Sequence, residues 1–324
     1  MVELNGKKIL VTFLMHLGDL TLTTPFIHAL RKAAPDAHIT MLVDEKLKDV
    51  VLFNPYLDEV VTIDKKGRDN SILSLWACSR HLSKLDFDVL INLHPNERCS
   101  FIDAMTSVRL RTGTTHKIFK WFWDVFTPLD RSMHAADMYL DVLQQLGVQD
   151  LSNNGLEIFP GEEHFLEAEL FWQEQNITDQ DKLIGFNIGS AVPTKRWPPE
   201  RFAEVADIFA AKGYKTVFFG GPMDEEMVAE ATGYMQTRPI IATGHFAIGG
   251  LAAAMRRCCL IITNDSGPMH VAISQKVPIV AMYDRQPSLW SLYKGCCNSY
   301  GTTALSGCAD GMKHAAMICS VCPG

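Results

Sequence analysis

Hydrophobic positions along this chain recur in two alternating patterns. Short, nearly continuous apolar runs of three to seven residues have the composition of buried parallel strands. They fall at residues 7–13, 38–43, 59–63 and 88–93, and again at 182–188, 215–219, 240–242, 260–263 and 277–282. Between them the apolar spacing changes to the helical one. Helices are expected over about 19–34, 70–84 and 134–147 in the first half, with a helix-like stretch at 46–53. In the second half they are expected over 162–176, 198–212, 224–235 and 251–257. Phe202, Val205, Ala206 and Phe209 share one helical face. Ile72, Leu73, Leu75, Trp76 and Leu82 are assigned to one side of the 70–84 helix. Gly147 stands where a helix C-terminus favours glycine.

Strands alternating with helices imply a parallel α/β sheet. The pattern lapses in an acid-rich stretch at 150–182 and then restarts. The chain therefore reads as two doubly wound α/β domains. The first is assigned to residues 1–165 and the second to 166–324. Two such sheets facing across a cleft would line it with the carboxyl ends of their strands, where open α/β sheets place their ligands.

Composition narrows the class. A length of 324 residues suits two domains better than one core. Apolar residues make up 47% and charged residues 21%, as in soluble globular proteins. No window approaches the roughly 18 uninterrupted apolar residues of a membrane span. No apolar leader precedes a small-residue cleavage site, so no secretory signal is expected. Nine cysteines without an export signal read as reduced thiols in the cytoplasm. A net charge of −7 argues against broad nucleic-acid binding, while leaving room for a local anion site.

The chemistry concentrates at strand ends. Asn264-Asp265-Ser266-Gly267-Pro268-Met269-His270 follows a buried strand and opens a helix. Free N–H groups and the positive end of a helix dipole make such a turn a cradle for phosphate; the plain alternative is an ordinary capped turn. After the 182–188 strand, Gly189-Ser190 leads to Lys195 and Arg196, two cations near a small hydroxyl residue. Together with 265–270 they could clamp a pyrophosphate; the alternative is a solvated loop. Glycines at 189, 220–221 and 244 let a ligand approach the backbone. At the end of the first strand, Leu14-Met15-His16-Leu17-Gly18-Asp19 has one glycine and one carboxylate. No G-x-G-x-x-G occurs there or elsewhere, which weighs against an NAD or FAD enzyme. Asp19 reads either as a positioned general base or as a helix N-cap. Residues 112–127 interleave His116, Lys117 and Lys120 with Phe119, Trp121, Phe122, Trp123 and Phe126. That mixture suits an acidic, lipid-linked amphiphile or a membrane surface; the alternative is a buried aromatic cluster.

Four of these motifs occur together and in order. They are H-L-G-D at 16–19, G-S-x-x-x-x-K-x-W-P at 189–198, G-G-P at 220–222 and N-D-S-G-P-M-H at 264–270. The set resembles glycosyltransferase family 9, the ADP-heptose:lipopolysaccharide heptosyltransferases, across roughly residues 7–284. The resemblance implies a GT-B architecture of two Rossmann-like domains. It implies inverting, metal-independent transfer of heptose from ADP-heptose to a lipopolysaccharide inner-core sugar, with no cofactor. By the same resemblance Asp19, beside Gly18, is the general base. Ser190 and Lys195 hold the donor phosphates with Gly221. Asp265, Ser266 and Gly267 meet the diphosphate with His270 beside them, and Phe246 lies near the adenine. The implied partners are a nucleotide-sugar donor and an anionic lipid-linked saccharide acceptor, met from the cytoplasm with peripheral inner-membrane contact. Rival readings are a GT-B transferase or epimerase for another nucleotide sugar, and a non-catalytic nucleotide-sugar-binding protein. Cys308, Cys319 and Cys322 near the C-terminus include a C-x-x-C that could ligate a metal.

Overall fold

The computed structural model describes residues 2–151 and 153–283 and the backbone strand at 315–319. The chain forms two compact units that divide between Asn154 and Gly155. That junction lies inside the acid-rich stretch and ahead of the 165/166 division expected from sequence.

The first unit runs β1 (Lys8–Thr12), α1 (Leu17–Thr21), α2 (Thr24–Ala33), β2 (His38–Asp44), β3 (Glu59–Ile63), α3 (Ile72–Ser83), β4 (Val89–Asn92), α4 (Glu97–Met105), β5 (Leu110–Gly113), β6 (Val125–Phe126) and α5 (Ala135–Gln145). Its sheet is parallel, in the order β3-β2-β1-β4-β5-β6. The strand order reverses between β1 and β4. Right-handed crossovers therefore send α2 to one face of the sheet and α3 and α4 to the other. Accordingly α2 packs with α5, and α3 with α4. Leu10, Leu42, Leu90, Leu75, Leu82 and Ile102 form the core beneath α3 and α4.

The second unit runs α6 (Glu162–Glu174), β7 (Leu183–Asn187), α7 (Pro199–Ala211), β8 (Lys215–Phe219), α8 (Glu225–Tyr234), β9 (Ile240–Ile241), α9 (Ile248–Met255), β10 (Cys258–Asn264), α10 (Gly267–Ser274), β11 (Ile279–Tyr283) and β12 (Ala315–Cys319). The order is β12-β11-β10-β7-β8-β9, parallel except for antiparallel β12. Here the reversal lies between β10 and β7. Phe186, Phe202, Ala206, Phe218 and Val228 pack the α7/α8 face.

Three local expectations need correction. The helix over 19–34 is interrupted. The Leu22 and Thr23 N–H groups close onto the Gly18 and Leu20 carbonyls, and Pro25, early in α2, has no N–H to continue the ladder. On α3 only Leu75, Ser79 and Leu82, spaced i, i+4, i+7, face the sheet, and Ile72, Leu73 and Trp76 are exposed. The 46–53 stretch is a 3-10 turn over Glu45–Val50, capped by the Asp44 carboxylate. The expected alternation also omitted α4, β5 and β6, which complete the first sheet.

Gly113 shows how tight the sheet is beside the reversal. Its φ is +88°, and a Cβ there would overlap the Asn92 backbone. Gly6 has φ +69° but open space around it. Gly113→Ala should destabilise the chain by about 2–4 kcal/mol, against about 1 kcal/mol for Gly6→Ala. Urea denaturation midpoints check this, and equal losses would show that the Asn92 contact adds nothing.

Candidate active site

In open α/β sheets, loops on either side of a strand-order reversal splay apart and leave a crevice at the strand carboxyl ends. In the second unit that crevice lies beyond β7 and β10, and the sequence supplies polar staples for its walls. Asn264, fully buried at the end of β10, accepts from the Trp197 N–H (3.0 Å) and donates to the Ile188 carbonyl (2.7 Å). Both partners belong to the loop after β7. Asn187, fully buried at the end of β7, donates to Thr263 Oγ1 and Ser266 Oγ, each at 2.9 Å. Trp197 packs edge-on against Phe202 of α7 at 5.0 Å, which fixes the far end of the loop.

These staples bring Ser190, Lys195, Asp265, Ser266 and Gly267 to one place. Lys195 Nζ donates to Asp265 Oδ2 at 2.7 Å, with the lysine 40% and the aspartate 12% exposed. Ser190 is buried; its hydroxyl accepts from the Val192 N–H (3.3 Å), and its carbonyl accepts from Arg196 Nε (2.8 Å). Arg196 thus shapes the loop. Ser266 is the N-cap residue of α10 in extended conformation, yet its side chain caps no helix N–H. Its hydroxyl is turned to Asn187, and the start of α10 presents the Gly267 N–H and the positive dipole end, since Pro268 has no N–H and the Met269 N–H is bonded to the Ser266 carbonyl. His270 is buried one turn further on.

The adjoining loop after β8 is drawn in by Asp224, which accepts from the Gly221 N–H at 2.9 Å. Gly189 and Gly220 are glycines because a Cβ on either would press into Asp224, whereas Gly221 has room around it. Phe246 lies beyond β9, separated from β10 by β7 and β8, in an aromatic group with His245 (4.7 Å) and Phe171 of α6 (5.0 Å).

Gly18 and Asp19 belong to the first unit, beyond β1 at that sheet's own reversal. Asp19 is not the N-cap: His16 holds that position, and Asp19 is the third residue of α1, half-buried. Its charge and burial together push the Tyr139 phenol well above its ordinary range, burial being the larger cause. The segment leading to it is held by Lys65, whose ammonium donates to the carbonyls of Leu14 (2.6 Å) and Met15 (2.9 Å) and pairs with buried Asp44 (3.1 Å). Below lies a buried polar cluster. Asp103 Oδ2 accepts from Thr12 Oγ1 (2.8 Å) and Asn92 Nδ2 (2.5 Å), and Asn92 Oδ1 accepts from the His94 N–H (2.6 Å). Burial raises Asp103 to about 7 despite these hydrogen bonds. Burial, then the charges of Lys65 and His16, lower His94 to about 4. Sequence reading missed Lys65, Asn92, His94, Asp103, Asn187 and Asp224. Asn92 and Asn187 did carry a signal, since each is a polar residue closing an otherwise apolar strand.

Among the described residues no group of three or more His, Cys, Asp or Glu side chains gathers as a metal site would. Cys78, Cys99, Cys258 and Cys259 are free thiols. Cys308, Cys322 and the side chain of Cys319 lie outside the described residues.

Two open α/β sheets of Rossmann type, each with polar loops at its reversal, are the components of the GT-B fold. The family model Glycosyltransferase family 9 (heptosyltransferase) matches residues 75–307. A crystal structure of a family 9 glycosyl transferase from Veillonella parvula DSM 2008 is 58% identical, with a TM-score of 0.85, covering 86% of this chain and 82% of its own. Lipopolysaccharide heptosyltransferase 3 of Escherichia coli (strain K12) is 25% identical over 281 residues, 82% of this chain and 79% of its own. The structure of E. coli ADP-heptose lps heptosyltransferase II has the same fold, with a TM-score of 0.74 at 22% identity, covering 87% and 88%. This chain belongs to glycosyltransferase family 9 and is a glycosyltransferase.

The buried carboxyl group makes stability depend on pH in a definite direction. With its pKa at about 7 rather than 3.8, the folded chain keeps a proton on Asp103 over a range where the unfolded chain has lost it. That contribution to stability falls as pH rises through this window. His94, lowered from 6.5 to about 4, acts oppositely, and its contribution is lost as pH falls through its own window. Asp103→Asn keeps an acceptor for Thr12 and Asn92 but no longer titrates. It should gain on wild type by about 1 kcal/mol or more between about pH 5 and pH 8, measured by denaturant titration. A constant difference across that range would show that Asp103 is ionised throughout.

Proposed function

We propose that this chain is an inverting heptosyltransferase that transfers heptose from ADP-heptose to the inner core of lipopolysaccharide. The observation that carries the reading is the convergence of Lys195, Ser190 and the first turn of α10 at the second unit's strand-order reversal. Such a site suits a diphosphate leaving group, because charge developing on it meets an ammonium and backbone dipoles already aimed outward. The names of the relatives, lipopolysaccharide heptosyltransferases, point to heptose and lipopolysaccharide, and that of E. coli ADP-heptose lps heptosyltransferase II points to ADP-heptose as donor. On this reading the second unit binds the nucleotide sugar and the first binds the lipid-linked saccharide. The enzyme works in the cytoplasm.

Asp19 takes the proton from an acceptor hydroxyl as that oxygen attacks the anomeric carbon and the bond to the diphosphate breaks. A carboxylate is a weak base at its reference pKa of about 3.9. Proton transfer therefore follows bond breaking, and the transition state carries its charge mainly on the sugar and the diphosphate. Lys195, Ser190, the Gly267 N–H and the α10 dipole take up the diphosphate charge, so the step calls for no metal or other cofactor. Asp265 would repel a phosphate at close range. Its contribution is to hold Lys195, whose ammonium has three donors and can keep Asp265 while reaching a phosphate oxygen. Gly221 and Phe246 flank the donor, Phe246 toward the adenine.

Incubation of the chain with ADP-heptose and heptose-deficient lipopolysaccharide, followed by mass spectrometry, tests the proposal. A heptose mass added to the acceptor is expected. Turnover only with a different nucleotide sugar would keep the mechanism and change the donor, and binding without turnover would make the chain a non-catalytic binder.

Asp19→Asn should lower kcat by roughly 10²–10⁴, the usual worth of a general base, with ADP affinity and Tm little changed. Near-normal turnover would remove Asp19 from this role and direct attention to His16. Lys195→Ala should weaken ADP binding by roughly 1–3 kcal/mol, because it removes a donor and leaves Asp265 uncompensated. Calorimetry should find part of that loss restored in Lys195→Ala/Asp265→Asn. No restoration would mean that Asp265 does not face the diphosphate.

A further inference from the structure

The second unit has a pocket of about 410 Å³ at the edge of its sheet opposite the crevice beyond β7 and β10. α9 and α10 each leave the carboxyl end of one strand and return to the amino end of the next, so their C-termini lie at that opposite edge. There the end of α9 (Arg256), the end of α10 (Ser274 to Lys276), the chain entering the unit (Ile158 to Pro160) and Phe165 of α6 line the pocket. Gln275 Nε2 donates to the Ile158 carbonyl (2.8 Å), which ties the entering chain to the end of α10.

Two cations line the pocket, and the fold uses neither side chain. Arg256 is exposed, with its guanidinium carbon 5.8 Å from the Phe165 ring centroid, and its side chain makes no hydrogen bond or ion pair among the described residues. Its neighbour Arg257 differs, donating to the carbonyls of Asp181 (3.2 Å) and Thr178 (2.6 Å). Glu169, which shares an adjoining hollow with Arg256, accepts from Gln173 Nε2 (2.9 Å) and leaves the guanidinium unpaired. Lys276 occupies the C′ position of α10 with φ +61°. Its N–H closes onto the Ile273 carbonyl, and the Val277 N–H onto that of Ala272. Glycine is favoured at such a position because a side chain strains the left-handed backbone. Lysine stands there instead, exposed and with no carboxylate partner among the described residues. Helix dipoles favour a cation at each of these helix ends. They do not account for the apolar wall of Ile158, Phe159, Pro160 and Phe165 in the same pocket.

We propose that this pocket is a second ligand site, for a small aromatic anion: a ring system bearing one carboxylate or sulfonate, with its ring against Phe165 and its charge on Arg256 and Lys276. Ligand pockets are mostly apolar clefts of roughly 300–1,000 Å³ with a few polar groups that set orientation. The Gln275 amide nitrogen is already bonded to Ile158 and to Ser274 Oγ (3.0 Å), so the orienting groups left are the two cations. They donate and cannot accept, which selects an acceptor-only group such as a carboxylate. A single negative charge fits best, because both helices end here with the negative pole of their dipoles, which disfavours a polyphosphate. α10 spans the distance between the two sites, about 12 Å at 1.5 Å per residue. The inference stands on the pocket and its charges and does not require the heptosyl-transfer reading.

Fluorescence titration with anilinonaphthalene sulfonate tests the site, with calorimetry for stoichiometry. One molecule should bind per chain. N-phenylnaphthylamine, the same rings without the sulfonate, should bind about tenfold or more weakly. Arg256→Gln/Lys276→Gly should weaken the sulfonate by about tenfold or more, with Tm unchanged or raised, since glycine relieves the backbone at 276. Lys195→Ala, in the crevice at the other edge of the sheet, should bind the probe as wild type does. Absence of saturable binding would overturn the proposal, as would equal binding by the double variant or equal binding of the uncharged probe. Loss of binding in Lys195→Ala would also overturn it, by placing the probe in the crevice beyond β7 and β10.

Discussion

The arrangement of the second unit depends on one buried carboxamide. Asn264 closes β10 and bridges, with its two ends, the backbone at Ile188 and at Trp197. Strands β7 and β10 are neighbours whose connections leave in opposite directions, so nothing in the ladder itself fixes the loops beyond them. Asn264 supplies that link, and its burial gives the link its value. A backbone group deprived of its partner there would cost about 1–3 kcal/mol. With the loop pinned, Lys195 can meet Asp265 and Ser190 can sit beside the start of α10. Asn187 completes the arrangement by holding Ser266, which leaves the first turn of the helix uncapped by its own N-cap side chain.

The first unit solves the same geometric problem with different chemistry. At its reversal a protonatable carboxyl, Asp103, is buried between Thr12 and Asn92, and Lys65 reaches the carbonyls ahead of His16. Burying Asp103 raises its pKa to about 7. Stability is given up near neutral pH in exchange for a polar cluster that sets the ends of β1 and β4. The two sheets thus use strand-end polar side chains to shape crevices of opposite character. One holds the Lys195 ammonium, paired with Asp265, beside the start of α10; the other carries the carboxylate of Asp19.

Much of this was legible in the chain because parallel strands buried on both faces leave continuous apolar runs. Residues 59–63 and 215–219 are strands with the bounds expected, and Gly147 follows α5 with φ +101°. The motifs at 189–198 and 264–270 also read correctly as two loops that meet. What escaped reading was set by tertiary contact. α4 has apolar and polar residues on all sides because it packs between α3 and the 117–122 turn. β5 is short and carries Thr112 and Gly113, neither of which looks like a strand core until Asn92 lies opposite. Ile72 and Trp76 fit a helical stripe that the sheet beneath does not extend far enough to cover. Lys65 and Asp103 are distant in sequence from the loops they support, and no local pattern announces such a contact.

The proposed transfer is a single displacement at the anomeric carbon, in which the acceptor oxygen joins as the diphosphate departs. Stereochemistry tests this most directly. NMR of the product formed from ADP-heptose and a heptose-deficient core acceptor should show the new glycosidic linkage with the anomeric configuration opposite to that of the donor. Retention of the donor's configuration would require two displacements and a second nucleophile, and would contradict the account.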